Sequence, residues 1–267
     1  MRFASLGSGS KGNATLVEAG ATRVLVDCGF SCTETEKRLA RLSLEPGDLS
    51  AILVTHEHGD HISGVARLSR RYRLPVWMTA GTEAVHKGGE VAAWHCFNGH
   101  QSFSIGELRI EPFPVPHDAR EPCQFVFSDG EWRLGLLTDV GSITSHMVQA
   151  LLNLDAIILE CNHDPDMLTT GPYPPVLKQR VGGSFGHLSN QQAADLLTRI
   201  DTGRLQHLVI AHLSEKNNHP GLPRALLSDV LGCRAEDILV ADQPGGMSWL
   251  SLNQPGFRMG DGVKILV

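Results

Sequence analysis

The feature that most constrains this chain is a histidine cluster directly after a short apolar segment. The segment 51–54 reads as a buried strand, and the motif His56-x-His58-x-Asp60-His61 follows it at once. A loop leaving a strand end can turn His56 and His58 toward one point, and Asp60 and His61 toward a second. Imidazole and carboxylate groups suit zinc, manganese or iron. The motif therefore predicts two neighbouring metal sites at a strand end.

Three further residues repeat this placement at the end of an apolar run. His117 closes the run 113–117, Asp139 closes 135–139, and His212 closes 207–212. We expect all three to join the ligand set, with the Asp139 carboxylate able to bridge two cations. His163 and His187 compete with His212 for the last histidine position, and His212 is favoured because a strand holds it rigidly.

The order of elements predicts the fold class. Each half of the chain begins with strands and continues with alternating strands and helices. This pattern predicts an α/β protein, a four-layer αββα sandwich of two mixed sheets with helices outside. We expect a single domain over residues 1–252 and an uncertain tail over 253–267. A helix capped by Thr33 and a long loop over 162–186 are also expected.

Composition excludes several classes of protein. No stretch approaches the ~18 unbroken apolar residues that a membrane span needs, and residues 1–13 lack a signal-peptide apolar core. We therefore expect a cytoplasmic protein with no membrane partner and with its six scattered cysteines reduced. A net charge of −6 disfavours generic nucleic-acid binding, but two divalent cations would add +4 and leave −2.

Several motifs together resemble a known family. Beside the ligand residues they are the loop Ser8–Asn13, Pro116-His117-Asp118-Ala119, Glu160-Cys161-Asn162-His163-Asp164, Gly186-His187-Leu188-Ser189-Asn190 and His212-Leu213-Ser214-x-x-Asn217-Asn218. The set resembles the metallo-β-lactamase fold to about Leu252, and within it the YycJ/WalJ (VicX) branch. Those bacterial proteins are regarded as DNA exonuclease-like phosphodiesterases.

The resemblance implies a dinuclear centre with two divalent transition-metal ions, zinc or manganese, with iron as a further option. Its implied ligands are His56, His58 and His117 for the first metal, Asp60, His61 and His212 for the second, and Asp139 between them. A hydroxide shared by the two cations is then the implied nucleophile. Asp60 would orient this hydroxide as well as bind metal.

His187 resembles a histidine of the tRNA 3′-processing relatives that contacts the scissile phosphate and assists the leaving oxygen. Ser189 and Asn190, at a helix N-terminus, suit an anion. In the alternative interpretation, Ser189 only caps the helix and His187 only packs. We expect Asp27 to hold the ligand loop as a hydrogen-bond acceptor.

Five further residues are candidates for substrate contacts. Lys178 and Arg180 are placed on the loop near His187, where they could bind backbone phosphates. His163 is open between substrate contact and structural hydrogen bonding. Asn217 and Asn218 either bind substrate or form a turn before Pro220.

These features favour a metal-dependent nuclease whose partner is a nucleic acid, with DNA preferred and the oligomeric state open. The first alternative is a small-molecule hydrolase of the same fold, a thioesterase or lactonase, whose relatives lack the motif 186–190. The second is a non-hydrolytic protein, either a regulatory binding module or a di-iron redox protein. A full ligand set argues against a binding module, and His58 stands where di-iron relatives place Glu.

Overall fold

The computed structural model describes residues 1–253 as an α/β protein. Its strands are β1 (Arg2–Gly7), β2 (Ala14–Ala19), β3 (Thr22–Val26), β4 (Ala51–Leu53), β5 (Pro75–Met78), β6 (Ala93–Cys96), β7 (Phe103–Ile105), β8 (Leu108–Pro114), β9 (Cys123–Ser128), β10 (Arg133–Leu137), β11 (Ala156–Glu160), β12 (His207–Ala211), β13 (Leu239–Val240) and β14 (Met247–Ser251). Its α-helices are α1 (Cys32–Arg41), α2 (Gly59–Ile62), α3 (Val65–Tyr72), α4 (Ala80–Val85), α5 (Ser145–Ala150), α6 (Pro165–Thr170), α7 (Pro175–Val181), α8 (Asn190–Arg199) and α9 (Gly221–Leu231). None of these helices is both long and apolar enough to cross a membrane.

The chain divides into two compact units. Unit 1 comprises Met1–Pro114, Ala119–Glu131 and Ala241–Ser251, and the described part of unit 2 comprises Val115–Asp118, Trp132–Val240, Leu252 and Asn253. The expectation of a single domain over 1–252 stays a prediction. Apart from Asn253, the expected tail over 253–267 lies outside the described residues.

Unit 1 contains a seven-stranded mixed sheet in the order β14-β1-β2-β3-β4-β5-β6. Strands β14 to β3 pair antiparallel, and β3 to β6 pair parallel. Strand β4 lies inside the parallel part and is fully buried, as its continuous apolar run predicts. Because Val26 pairs with Leu53, β3 and β4 end side by side, so the residues that follow them meet at one sheet edge. Unit 1 also contains the antiparallel meander β7-β8-β9.

The core of unit 1 lies between its helices and the parallel strands. Leu39 of α1 and Leu68 of α3 are fully buried, in one cluster with Leu25, Ile52 and Val76. Burial of a leucine side chain contributes about 1.5–3 kcal/mol, so these contacts hold β4 firmly beneath the histidine motif.

The cap of α1 differs from the sequence prediction. Ser31, not Thr33, is the N-cap residue, and its side chain accepts a hydrogen bond from the Glu34 N–H. Ser31 has an extended backbone, which is the conformation an N-cap requires, whereas Thr33 already lies inside the helix.

Unit 2 contains four parallel strands in the order β13-β12-β11-β10. Strand β11 is fully buried and pairs with β10 and β12, with Leu137 opposite Leu159 and Glu160 opposite Ala211. The carboxyl ends of the three strands therefore meet at one edge, the usual place for sites in parallel sheets. Beside this sheet α8 packs against α9, and Ser189 caps α8 in a capping box with Gln192.

The prediction of one long loop over 162–186 was wrong, because this segment contains α6 and α7. Asp164 caps α6 by accepting hydrogen bonds from the Asp166 and Met167 N–H groups. Each helix begins with a proline, Pro165 or Pro175, a residue that the first helical turn tolerates although it also marks loops. Lys178 and Arg180 consequently lie on α7 and not on a loop.

Candidate metal centre

The ligand loop of unit 1 follows β4 and enters α2. His58 is the N-cap of α2, and this short helix carries Asp60 and His61 in its single turn. The nearest ligand atoms of His56 and His58 lie within 4.8 Å of each other, as do those of Asp60 and His61. His56 and His61 are fully buried, whereas a quarter of the Asp60 side chain is exposed. Within unit 1 the structure thus brings all four predicted ligands together.

Asp27 anchors this loop from the end of β3. Its Oδ1 accepts a hydrogen bond from the Thr55 N–H at 2.8 Å, and its Oδ2 accepts from Thr55 Oγ1 at 2.8 Å and from His61 Nδ1 at 2.7 Å. Complete burial raises the pKa of the Asp27 carboxyl, although His61 and Thr55 act in the opposite direction. The structure therefore places Asp27 where the sequence predicted it, against a ligand histidine.

Asn13 supports the same loop, a role that the sequence analysis did not assign. The Asn13 N–H donates to the Asp60 carbonyl at 2.8 Å, and Asn13 Nδ2 lies 3.3 Å from Asp60 Oδ2 and 3.0 Å from His61 Nε2. At Gly29 a Cβ atom would lie 1.8 Å from the Asp60 carbonyl oxygen, so only glycine allows this approach. The glycine- and serine-rich segment around Asn13 was the available signal.

Unit 2 carries the other three predicted ligands, His117, Asp139 and His212. Asp139 Oδ1 lies 3.5 Å from His212 Nδ1 and 3.9 Å from His117 Nε2. His187 Nδ1 also lies 3.5 Å from this oxygen. All four side chains are buried or largely buried, with only His187 keeping 19 % of its side chain exposed.

Glu160 organises this cluster from the end of β11. Its Oε1 accepts hydrogen bonds from Nδ1 of His187 at 2.8 Å and Nδ1 of His212 at 3.0 Å. Its Oε2 accepts from the N–H groups of Val140 at 2.8 Å and Leu188 at 3.1 Å. Burial raises the pKa of the Glu160 carboxyl, but the histidine interactions outweigh it and bring the pKa to about 2.

The sequence analysis quoted Glu160 in a motif but gave it no role. A signal was present, because Glu160 ends a fully buried apolar strand in the same way as the predicted ligands do. Its position next to His187 and His212 depends on contacts 27 and 52 residues away, which the sequence pattern does not display.

The histidine tautomers supply a test of whether metal ions fit these residues. Four predicted ligands bind an oxygen through Nδ1: His56 to Thr55 Oγ1, His61 to Asp27, His117 to the Gly186 carbonyl and His212 to Glu160. The carboxylate and carbonyl acceptors require Nδ1 of His61, His117 and His212 to carry the proton, which leaves the lone pair on Nε2. In His61 this lone pair faces Asn13 Nδ2 at 3.0 Å, so a metal at this nitrogen would replace the Asn13 contact. Metal-ligating histidines show this arrangement. The donor set of both units therefore fits divalent transition-metal ions.

Backbone strain marks the same positions. Asp27, Asp139 and His212 follow strand ends and have left-handed φ angles of 61°, 57° and 52°. Such a conformation in a residue other than glycine costs of order 1–3 kcal/mol and clusters at functional sites. The fold thus holds one supporting residue and two candidate ligands in a costly conformation.

Three of the predicted substrate contacts hold the structure together. Asn190 and Asn218 are buried and exchange amide hydrogen bonds of 3.0 and 2.8 Å, and Asn218 also donates to the Cys161 carbonyl. The Ser189 side chain accepts from the Gln192 N–H as the cap of α8. These contacts fix the loops that carry His187 and His212.

Of the two predicted basic contacts, Lys178 is half-buried and Arg180 is exposed, and each already has a hydrogen-bond partner. Lys178 Nζ donates to the Thr169 carbonyl at 2.6 Å, and Arg180 Nε donates to Asp118 Oδ2 at 2.6 Å. Asn217 and His163 differ from them, because both are buried. Asn217 Nδ2 donates to Ser214 Oγ.

Comparisons with known proteins agree with this description. The family model described as the beta-lactamase superfamily domain matches residues 22–212. The chain is 36 % identical over 235 residues to the exodeoxyribonuclease YycJ of Bacillus anthracis, covering 86 % of this chain and 89 % of that protein. It is 36 % identical over 223 residues to the exodeoxyribonuclease WalJ of Streptococcus pneumoniae, covering 81 % and 83 %.

Solved structures show the same fold. The metallo-β-lactamase fold protein YhfI from Bacillus subtilis superimposes with a TM-score of 0.73 at 18 % identity, covering 94 % of this chain and 99 % of that one. The predicted fold class, an α/β protein with two mixed sheets and helices, is confirmed.

Proposed function

The chain belongs to the β-lactamase superfamily, and from that premise we propose that it is a metal-dependent exonuclease that hydrolyses phosphodiester bonds in DNA. Two relatives named exodeoxyribonucleases, each 36 % identical over more than four fifths of this chain, support the reaction class. The arrangement of histidines and carboxylates in each unit supports the dependence on metal.

For the metal ligands we propose the set that the family resemblance implies. His56, His58 and His117 hold one ion, Asp60, His61 and His212 hold a second, and Asp139 serves both. Support comes from the Nδ1 hydrogen bonds described above, which present Nε2 of four of these histidines as the ligand atom. Nitrogen and carboxylate oxygen donors suit zinc or manganese.

When bound, such ions activate a water molecule and stabilise the charge that grows on the phosphoryl oxygens. We assign Asp60 the role of orienting the attacking group; in support, Asn13 contacts its carboxylate and a quarter of its side chain stays exposed. Ser189 and Asn190 keep the His187 loop in place from the start of α8.

One observation carries the proposal: His187 and His212 both donate a hydrogen bond to Glu160 Oε1, but their side chains differ in solvent exposure. The His212 side chain is 3 % exposed and suits a ligand, whereas the His187 side chain is 19 % exposed and can meet substrate. Because Nδ1 of His187 donates to Glu160, this hydrogen bond fixes the ring and leaves Nε2 to act on the substrate. We propose that Nε2 donates a proton to the leaving oxygen of a phosphodiester.

The test uses 5′- and 3′-end-labelled single- and double-stranded DNA, with matched RNA, and protein freed of metal and then supplied with zinc or manganese. We expect metal-dependent release of mononucleotides from DNA and no turnover by the folded Asp60→Ala variant. Hydrolysis of thioesters or lactones without any cleavage of DNA would assign the alternative function.

A further inference from the structure

A cavity of about 500 Å³ lies in unit 2 beside the loop that follows β11. Its lining includes His163, Pro165 and Leu168 on one side, and Lys178, Gln179 and Gly182 on the other. Ligand sites for small molecules typically have volumes of about 300–1,000 Å³, so this cavity has room for one planar ring with its sugar. No role assigned so far uses it.

His163 is the buried polar residue among the described residues that line the cavity. Its side chain is buried, with the residue only 4 % exposed, and no hydrogen-bond partner for its Nδ1 lies among the described residues. Burial lowers the pKa of His163 to about 4, so the imidazole is neutral at pH 7 and offers one donor and one acceptor. The other ring nitrogen, Nε2, lies 4.0 Å from the position that a Cβ atom would take at Gly182, another residue of the lining, so Nε2 is the atom that can hydrogen-bond a ligand in the cavity.

The charges around the cavity select the kind of ligand. Among the lining residues of the described chain, Lys178 alone carries a full charge, and its Nζ already donates to the Thr169 carbonyl at 2.6 Å. The neutral His163 adds none. The described lining thus holds one cation and no carboxylate, which favours a ligand that carries little or no charge. The lining therefore suits an uncharged ring with hydrogen-bonding edges.

Two short segments of the chain connect the cavity to His187, the proposed leaving-group histidine. His163 lies three residues after Glu160, which holds His187 through Nδ1. On the other side α7 ends at Val181, directly before Gly182, and the Val181 carbonyl accepts from the His187 N–H at 2.9 Å. The same two segments thus position both the cavity wall and His187.

We propose that this cavity is a subsite for the nucleobase adjoining the cleaved phosphodiester, with His163 hydrogen-bonding the edge of the base. The proposal rests on the proposed function for the identity of the substrate. It adds a specificity-determining residue, His163, and a defined place for the base between α6 and α7.

Gly182 offers a way to fill the cavity without changing His163. A Cβ atom there would lie 3.2 Å from Leu168 Cδ2 and 4.0 Å from His163 Nε2, and the φ angle of −86° accepts any residue. Gly182→Leu should therefore occupy the space meant for the base, while His163→Leu removes only the polar contact. Matched controls are Gly47→Leu, where an added Cβ meets nothing within 4 Å, and His100→Leu at an exposed turn.

The first measurement is binding of free deoxynucleosides to the metal-free full-length protein, followed by ligand-observed NMR. We expect saturable binding to the wild type and both controls, about tenfold weaker binding to His163→Leu, and none to Gly182→Leu. Deoxyribose 5-phosphate, which lacks a base, should not compete. Absence of nucleoside binding, unchanged binding to Gly182→Leu, or competition by deoxyribose 5-phosphate would overturn the subsite.

The second measurement separates the subsite from the proposed function. With DNA whose terminal nucleotide is abasic, KM should rise for the wild type and become equal to that of Gly182→Leu. If DNA is cleaved but the abasic end leaves KM unchanged, the subsite is wrong and the nuclease function stands. If nucleosides bind as expected and no DNA is cleaved, the nuclease function is wrong and the base-binding cavity stands.

Discussion

Replacing Glu160 by glutamine tests the organisation of the unit 2 cluster. The carboxylate accepts two hydrogen bonds at each oxygen, from His187 and His212 at Oε1 and from the Val140 and Leu188 N–H groups at Oε2. A glutamine side chain presents one oxygen and one NH₂ group. With the NH₂ group toward the histidines, both must move their proton to Nε2 to accept at Nδ1, which removes the lone pair that a metal needs. With the NH₂ group toward Val140 and Leu188, two buried N–H donors lose their acceptor, which lowers the free energy of unfolding by about 2–6 kcal/mol. That is a large share of the ~5–15 kcal/mol of a typical domain.

Urea unfolding of the metal-free protein measures this loss, with Glu131→Gln at an exposed turn as the matched control. Metal affinity, measured by competition with a chelator, should also fall by about 10–100-fold, because His212 loses the group that fixes its tautomer. A variant that unfolds within about 0.5 kcal/mol of wild type and keeps its metal affinity would refute this account of Glu160.

Three further predictions concern single side chains. Asp27→Asn should weaken metal binding by about 10–100-fold in a chelator titration, since the single amide oxygen cannot accept all three hydrogen bonds that the two carboxylate oxygens receive from Thr55 and His61; unchanged affinity would contradict this role. The pKa of His163 is about 4 in the folded protein, against its ordinary value of 6.5. Between these pH values the unfolded state binds more protons, so the free energy of unfolding decreases as the pH is lowered. His163 accounts for about 2 kcal/mol of the unfolding free energy that is lost between pH 7 and pH 5. Urea titrations of the metal-free protein measure this loss, and an equal loss in wild type and His163→Gln would disprove the prediction. His187→Ala should lower kcat by about 10²–10⁴ on DNA and by less on an aryl phosphodiester, whose leaving oxygen needs less help; an equal loss on both substrates would make His187 a phosphate-binding group.

The strand-end ligands could be predicted from the sequence because their signal is local. At 56, 117, 139 and 212 a buried apolar run is followed by His or Asp. This pattern predicts the strand and also the sheet edge at which the ligand lies. Asp27 was predicted for the same reason. Each of these residues stands one to three residues after the last residue of a strand.

The supporting contacts could not be predicted in the same way, since they are tertiary. Glu160 meets His212 across 52 residues, and Asn13 meets His61 across 48, so no spacing rule links them. Helices α6 and α7 were missed because prolines and glycines dominate their flanks. The same residue types serve as helix starts and as loops, and only packing decides between the two.

The central claim depends most directly on which of two histidines binds metal. We assign the metal ligand to His212 and the leaving-group contact to His187. Ligand atoms of both lie within 4.8 Å of Asp139 and Glu160, so either histidine could complete a metal site by distance alone. Elemental analysis of the wild type, His187→Ala and His212→Ala decides the matter. The account predicts up to two divalent ions per chain in the wild type, the same number in His187→Ala, and a loss of metal in His212→Ala. An active wild type without metal, or a loss of metal in His187→Ala alone, would contradict it.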